Sequence, residues 1–413
     1  MKDFLRKFFK NPIVIVLLIV SIFWGIPALT KASQINENSI VIGVGIDLSE
    51  GGEKKYDVSF LTFLPIPEQN FTETYKVVSA QGDSIAEASN FAGVYLGRKL
   101  RFSHMKTIVL SQDVLGEDVP KLLDFLARGS ELSGSTKIVA IDDKASKFFS
   151  VVQGLDSESS MKISELASNN HKEVYAVDAT LEKFFKGYLG PTKVSLIPVF
   201  SLAKDDANGL AVSGEMEQSS PSKASEKATQ KENNEHLINS GDAAVFKDGK
   251  YVTTLSVEQM KNINWMTGEF SRGIIQIDDF QGKEFKGMNL TFEVFDNKMH
   301  KKVIFENGIP VVYMNPRINV VLAEVEKDGM LDKNVEFYTL YQDDFAELEH
   351  QIRSYFADAL QTMRENKTDI CDFYTLIHNA DKKQFRKFMD SLEDREDYLS
   401  YVVFKVGVKV RTR

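Results

Sequence analysis

Three groups of residues have the types and spacing that chemistry needs. The first is Val41-Ile-Gly43-Val-Gly45-Ile-Asp47. It opens like a dinucleotide fingerprint, in which glycines let a turn approach a pyrophosphate at a helix N-terminus. Position 48 is Leu where the third glycine would stand, and no clear helical pattern follows. The stretch reads instead as a buried strand whose small residues lie under a close neighbour. The second group is the adjacent acids Asp142-Asp143, Asp205-Asp206, Asp278-Asp279 and Asp343-Asp344. Glycoside hydrolysis needs two carboxylates held several ångströms apart across a cleft. Neighbouring acids in turn-like sequence read as solvated loop residues or helix caps, and Asp343-Asp344 suits the N-terminal dipole of a helix that follows. The third group is His104 and Cys371. His104 stands just before a strand and reads as a hydrogen-bonding group at its end. Cys371 lies between acids, which raise a thiol pKa and argue against an activated nucleophile. No P-loop, HExxH or nucleophile elbow occurs. A single cysteine excludes an intramolecular disulfide framework and a Cys-rich zinc site. The six histidines favour no metal, so no catalytic residue, metal or cofactor is expected.

The elements that would carry such residues begin with a membrane question. Lys2, Arg6, Lys7 and Lys10 surround the single acid Asp3, and Pro12 to Leu29 then runs eighteen residues without a charge. As a helix that run spans about 27 Å, against a hydrocarbon core of about 30 Å. Pro12, Ile13, Val14, Leu17, Leu18, Phe23 and Leu29 supply its apolar surface, and Trp24 stands near one end, where interfacial aromatics collect. The positive-inside rule keeps the basic flank in the cytoplasm and everything after Lys31 outside it. The chain carries a net charge of −9; without the flank, with its four bases and one acid, the remainder stands at −12. A single-pass anchor with an acidic ectodomain is the simplest picture. A cleaved signal peptide, with Thr30-Lys31-Ala32 before a mature chain near Ser33, and a buried core helix are the alternatives. With 43% apolar and 26% charged residues the chain is neither disordered throughout nor polytopic. Lacking a cationic field, it is not expected to bind nucleic acid.

From Ser39 onward the pattern is strand-like. Ile40 to Ile46, Tyr56 to Thr62 and Phe71 to Val78 read as an antiparallel meander. Ser84 to Leu96 reads as a helix with Ser84 and Glu87 as a capping box and Ile85, Ala88, Ala92 and Leu96 on its apolar face. A strand at Thr107–Leu110, a helix at Val119–Arg128 and a strand at Lys137–Ile141 follow. Helices at Ser146–Gly154, Met161–Asn169 and Asp178–Phe185 and a strand at Val194–Leu202 complete the half. Lys204 to His236 holds eleven charged residues and no aromatic. It cannot bury enough apolar area to offset its ordering entropy, and as a flexible coil its ends lie roughly 30 Å apart.

Strands resume at Ser240–Phe246, Tyr251–Leu255, Gly273–Ile277, Gly287–Asn297, Lys301–Glu306 and within Pro310–Glu326, with Asp248-Gly249 a hairpin signal. Phe345, Leu348, Ile352, Phe356, Leu360 and Met363 share one face of a long helix. Short helices near Asp369–Ile377 and Lys382–Asp390 precede a last strand, in which Val402, Phe404, Val406, Val408 and Val410 oppose Lys405, Lys409 and Arg411. The fold expected is α+β, with mixed or antiparallel sheets packed with helices in about three subdomains, behind a transmembrane helix. The divisions are 1–31 (basic flank and anchor), 35–203 (two subdomains), 204–236 (flexible linker) and 237–413 (C-terminal domain).

Several of these stretches, taken in order, resemble the Ger(x)C family, the C subunits of nutrient germinant receptors of spore-forming bacteria. They are Ile40–Asp47, Ser79-Ala-Gln-Gly82-Asp-Ser-Ile-Ala-Glu-Ala88, Gly97-Arg-Lys-Leu-Arg-Phe-Ser-His104 with Thr107–Leu110, Leu122–Arg128, Ser240-Gly241-Asp-Ala-Ala-Val-Phe246-Lys247, Asn264-Trp-Met-Thr-Gly268, Lys367-Thr-Asp-Ile370 and the final strand. The resemblance spans nearly the whole chain and implies an α+β fold. It also implies a non-enzymatic extracytoplasmic subunit at the spore inner membrane, assembled with A-type and B-type multi-pass subunits and acting in nutrient-triggered germination. Gly43, Gly45, Asp47, Gly82, His104, Gly241 and Phe246 are its motif positions, read as structural. Members of the family usually carry a lipidated cysteine after the apolar segment. Ala28 to Asn38 has none, so a spanning helix takes that place. A tryptophan common near the last strand is also missing, with Tyr398 in its neighbourhood. A tethered ligand-binding module of another signalling system and a secreted hydrolase are the rival readings.

Overall fold

The structure is a computed structural model. It describes residues 38–64 (apart from 52), 74–128, 132–154, 174–204 (apart from 176), 235–327 (apart from 283 and 284) and 329–412 (apart from 333–339), with Val16, Val20 and Ser21. The latter three are helical; the rest of the run Pro12–Leu29 lies outside the described residues. Among the described residues no helix is long and apolar enough to cross a membrane.

Strands β1 (Asn38–Leu48), β2 (Tyr56–Leu64) and β3 (Thr74–Gly82) form the expected antiparallel meander. On its other edge β1 runs parallel to β4 (Lys99–Arg101) and β5 (Thr107–Ser111), β5 to β6 (Lys137–Ile141), and β6 to β7 (Val194–Lys204). The sheet is therefore mixed. Parallel neighbours need long crossovers, and helices supply them. These are α1 (Ile85–Leu96), α2 (Val119–Arg128), α3 (Ala145–Gly154) and α4 (Leu181–Leu189). Every residue of β5 is buried, as in a strand covered on both faces.

Two more strands, β8 (Glu235–Lys247) and β9 (Lys250–Leu255), extend this same sheet. β8 pairs antiparallel with β7, with Lys204 opposite Glu235. The ends of the charged run thus lie side by side rather than roughly 30 Å apart as a free coil predicts, because the ladder holds them. Residues 205–234 lie outside the described residues, as does the helix expected at 161–169. β8 turns into β9 at Asp248-Gly249, whose φ values of 51° and 76° fit a type I′ turn.

The second sheet has the order β10 (Gly273–Phe280), β11 (Met288–Glu306), β12 (Ile309–Lys327), β13 (Met330–Leu331). The two strands expected within 287–306 are one nineteen-residue strand. The long β11–β12 hairpin is closed by Asn307-Gly308, with φ of 53° and 83°, a second I′ turn that the strand pattern alone did not reveal. The last alternating run is split at Gly407 into β14 (Val403–Val406) and β15 (Lys409–Thr412), both parallel to β12. Helices α5 (Val257–Thr267), α6 (Gln342–Glu365), α7 (Phe373–Ala380) and α8 (Lys382–Ser391) cover this half. Leu348, Ile352, Phe356 and Met363 of α6 are buried, as their spacing requires.

Two large cores result. One gathers β1, β2, β5, β6, α1, α2 and α4; the other gathers α5, α6, α7 and the second sheet. β8 serves both, with Ala244 and Phe246 in the first and Ala243 and Val245 in the second. Side chains alternate across a strand, so one strand can line two cores. A smaller cluster on the opposite face of the first sheet holds Phe148, Phe149 and Phe200.

Tyr398 closes the second core. Its hydroxyl donates to the buried carboxylate of Asp369, which also accepts the backbone N–H groups of Phe373 (2.9 Å) and Tyr374 (2.8 Å). Burial holds the Asp369 carboxyl above its ordinary 3.8, and these hydrogen bonds oppose the rise. Burial, then the nearby Asp369 charge, raises the Tyr398 hydroxyl.

Two measurements test this packing. Tyr398→Phe removes a bond to a charged acceptor and should cost about 1.5–3 kcal/mol in urea unfolding at neutral pH. That bond is stronger to the ionised carboxylate than to the neutral carboxyl, so its contribution weakens as pH falls through the Asp369 pKa, and the penalty should shrink in acid. Gly45→Val would place a Cβ 2.8 Å from the Phe149 ring and should cost about 1–3 kcal/mol, part of which Phe149→Leu should restore.

Candidate interaction surface

The residues singled out by type fall into structural joints. The Phe149 ring lies across both Gly43 and Gly45, where an added Cβ would come within 2.8 Å of it. Asp47, at the end of β1, accepts from the backbone N–H groups of Ala145 (2.7 Å) and Ser146 (3.2 Å) and so caps α3. Burial raises its carboxyl pKa while these bonds oppose. A Cβ at Gly82 would meet the Ala88 nitrogen at 2.6 Å, which permits the tight β3-to-α1 turn. Gly241 has φ of 77° and lies against Val257; its neighbour Asp242 accepts from Val257 N–H at the start of α5. Phe246 packs edge-on against Phe184 at 5.7 Å. His104 is exposed in the turn before β5. The structure brings Gly43, Gly45 and Asp47 together around α3; the others lie apart.

The remaining candidates are similarly occupied. Asp344 is buried and accepts from Tyr341 N–H at the start of α6. Asp143 accepts from Lys144 N–H and pairs with Lys147. Asp278 and Asp279 are exposed. Desolvation, more than any neighbouring carboxylate, pushes the Cys371 thiol up to about 12. Among the described residues no group of His, Cys, Asp and Glu could hold a metal ion.

The most distinctive surface is built on α1. Ser84 caps the helix by accepting from Glu87 N–H, and Glu87 reaches back to Asp83 N–H, one residue before the position that a capping box uses. Lys54 binds both Asp83 (2.8 Å) and Glu87 (2.7 Å), and these contacts hold its pKa above the ordinary value. At the other end Gly97 adopts φ of 59°, with its N–H on Val94 O and that of Arg98 on Gly93 O. This Schellman arrangement turns the chain directly into β4.

Glu87 is the only charged residue in the twelve of α1. Ile85, Ala88 and Ala92 face the core, but Phe91, Val94 and Tyr95 form a second apolar stripe, 48%, 74% and 79% exposed. Helices apolar on both faces are ordinarily buried; this one is at the surface. Beside it lies a groove of about 760 Å³, walled by Val94 of α1, Phe125 of α2, Arg98 in the turn after α1, and Lys99 and Arg101 of β4. No acid lines it among the described residues. Arg101 binds the side chain of Asn38 at 3.1 Å, while Arg98 and Lys99 have no carboxylate partner among the described residues. Sequence reasoning quoted Arg98 to Arg101 within a motif but missed the stripe; the near absence of charge in 85–96 was the available signal.

Gly97 has open space around it, so a substitution there reports backbone strain alone. Gly97→Ala should cost about 1 kcal/mol in urea unfolding, with Gly97→Asn milder, because only the left-handed conformation is penalised.

Comparison with known proteins agrees with this architecture. The family described as spore germination protein N-terminal domain matches residues 31–202, and that described as spore germination B3/GerAC like, C-terminal, matches residues 241–413. Spore germination protein KC of Bacillus subtilis (strain 168) is 21% identical over 340 residues, covering 81% of this chain and 77% of that protein. Spore germination protein B3 of the same organism is 22% identical over 384 residues, covering 90% and 91%. The crystal structure of the GerBC protein superposes with a TM-score of 0.52 at 17% identity, covering 89% of this chain and 97% of that one, which establishes a shared fold. With both halves matched in order, the chain belongs to the GerAC-like family of spore germination proteins.

Proposed function

We propose that this chain is a non-enzymatic C-type subunit of a spore germinant receptor. On this reading the run Pro12–Leu29 holds it in the spore inner membrane, the remainder lies outside the cytoplasm, and it acts through contacts with A-type and B-type multi-pass subunits. The observation that carries the reading is the use made of its acids. Asp47, Asp344 and Asp369 are each bound to backbone N–H groups near the start of a helix, so carboxylates that could do chemistry are committed to shape. That commitment supports a chain that works by presenting surfaces. The family relationship supports the germination role, and the uncharged run behind a basic flank supports the anchor.

One observation favours a second reading, direct binding of a small nutrient by a tethered module. The groove beside α1 has the volume of a small-molecule site, and its cations suit a carboxylate.

Extraction from native membranes separates these. The receptor reading expects an intact mass equal to the full chain and co-purification with multi-pass partners; a chain beginning near Ser33 that purifies alone would sink it. Nutrient binding by the purified chain without partners, abolished by Arg98→Gln, would put the second reading first.

A further inference from the structure

We propose that the outer face of α1, with Arg98 and Lys99, rests on an anionic lipid surface. The inference rests on the tethered reading above and adds the face that meets the bilayer.

The stripe of Phe91, Val94 and Tyr95 protrudes, with Val94 and Tyr95 more than two-thirds exposed. Interfacial elements combine such a stripe with adjacent Lys and Arg, and the apolar side chains enter the headgroup boundary. Tyrosine, with an apolar ring and a polar tip, suits that depth. The cations follow the helix directly, because the Gly97 turn places Arg98 at its C-terminal end. The chain is otherwise acidic, at −9 overall, so an anionic bilayer repels most of its surface and admits the patch where Arg98 and Lys99 have no carboxylate partner among the described residues. That charge complementarity selects lipid headgroups.

The connection to the anchor points the same way. Lys99 sits opposite Asn38 in the parallel pairing of β1 and β4. Asn38 follows Leu29 by nine residues, which fully extended span at most about 30 Å. The patch is therefore within tether reach of the surface from which the chain emerges, and tethering raises its effective concentration there. A stable protein interface covers about 800 Å² on each partner, more than a few protruding side chains supply, whereas a fluid lipid surface needs no matching shape.

The test uses the full chain reconstituted in phosphatidylcholine vesicles with or without phosphatidylglycerol, all containing lipids brominated in the upper acyl chain. Tyr95→Trp in a Trp24→Phe background places an indole on the stripe; the remaining Trp265 is fully buried. Quenching of the indole at position 95 is expected in the phosphatidylglycerol vesicles. Lys99→Glu together with Arg98→Gln should reduce it by at least about fivefold, the effect of one surface cation. Val94→Trp serves as a second reporter with the same expectation. Trp24 in the unmodified chain reports the anchor separately. If it is quenched while positions 94 and 95 are not, the anchor stands and the lipid-facing surface is overturned. If positions 94 and 95 are quenched while Trp24 is not, the lipid face stands and the anchor fails. An indole at position 95 that changes only when a multi-pass partner is co-reconstituted would overturn the proposal in favour of protein docking.

Discussion

The architecture depends on the alternation of side chains along β8. Ala244 and Phe246 enter one core and Ala243 and Val245 the other. A slip of one residue would exchange the two sets and spoil both cores at once. The register is held on one side by β7 and on the other by the tight Asp248-Gly249 hairpin. Midway along it the pairing with β7 is irregular around Gly241, whose positive φ few other residues adopt. Asp242 then fixes the start of α5, the helix that carries Trp265 into the second core. One strand thus joins halves that their sequences present as separate.

Much of this was legible in the residues. α2 and β6 have the bounds that periodicity gives, and α6 buries the face marked by its spacing. Local signals sufficed there because one amphipathic face determines each element. What the sequence concealed is pairing. Nothing in Thr107–Ser111 or Lys137–Ile141 names a parallel neighbour, although their continuous apolar character is what burial on both faces demands. The membership of β8 in the first sheet was hidden because a long polar run separates it from β7, and sequence distance gives no measure of distance in space.

The same distinction applies to the candidate surface. The motif glycines and Asp47 were visible because their residue types are unusual, and they prove to be joints where chain meets chain closely. The stripe on α1 was invisible to a search for reactive groups, since Phe91, Val94 and Tyr95 carry none. Its signal is a missing one: a surface helix with hardly any charge. Binding surfaces that work by apolar contact and scattered cations leave this kind of trace.

The position of β1 has a mechanical consequence. It pairs with β2 along one edge and with β4 and β5 along the other. Any pull that enters the chain ahead of Asn38 reaches an interior strand of the first sheet, nine-stranded among the described residues, rather than a loose edge. Drawing that strand out along its length would load ladders on both sides together, in shear, so many hydrogen bonds would have to fail at once. Tension or displacement at the N-terminal end is therefore passed into the whole sheet as a rigid-body movement. The fold can act as a stiff lever whose handle is its first strand.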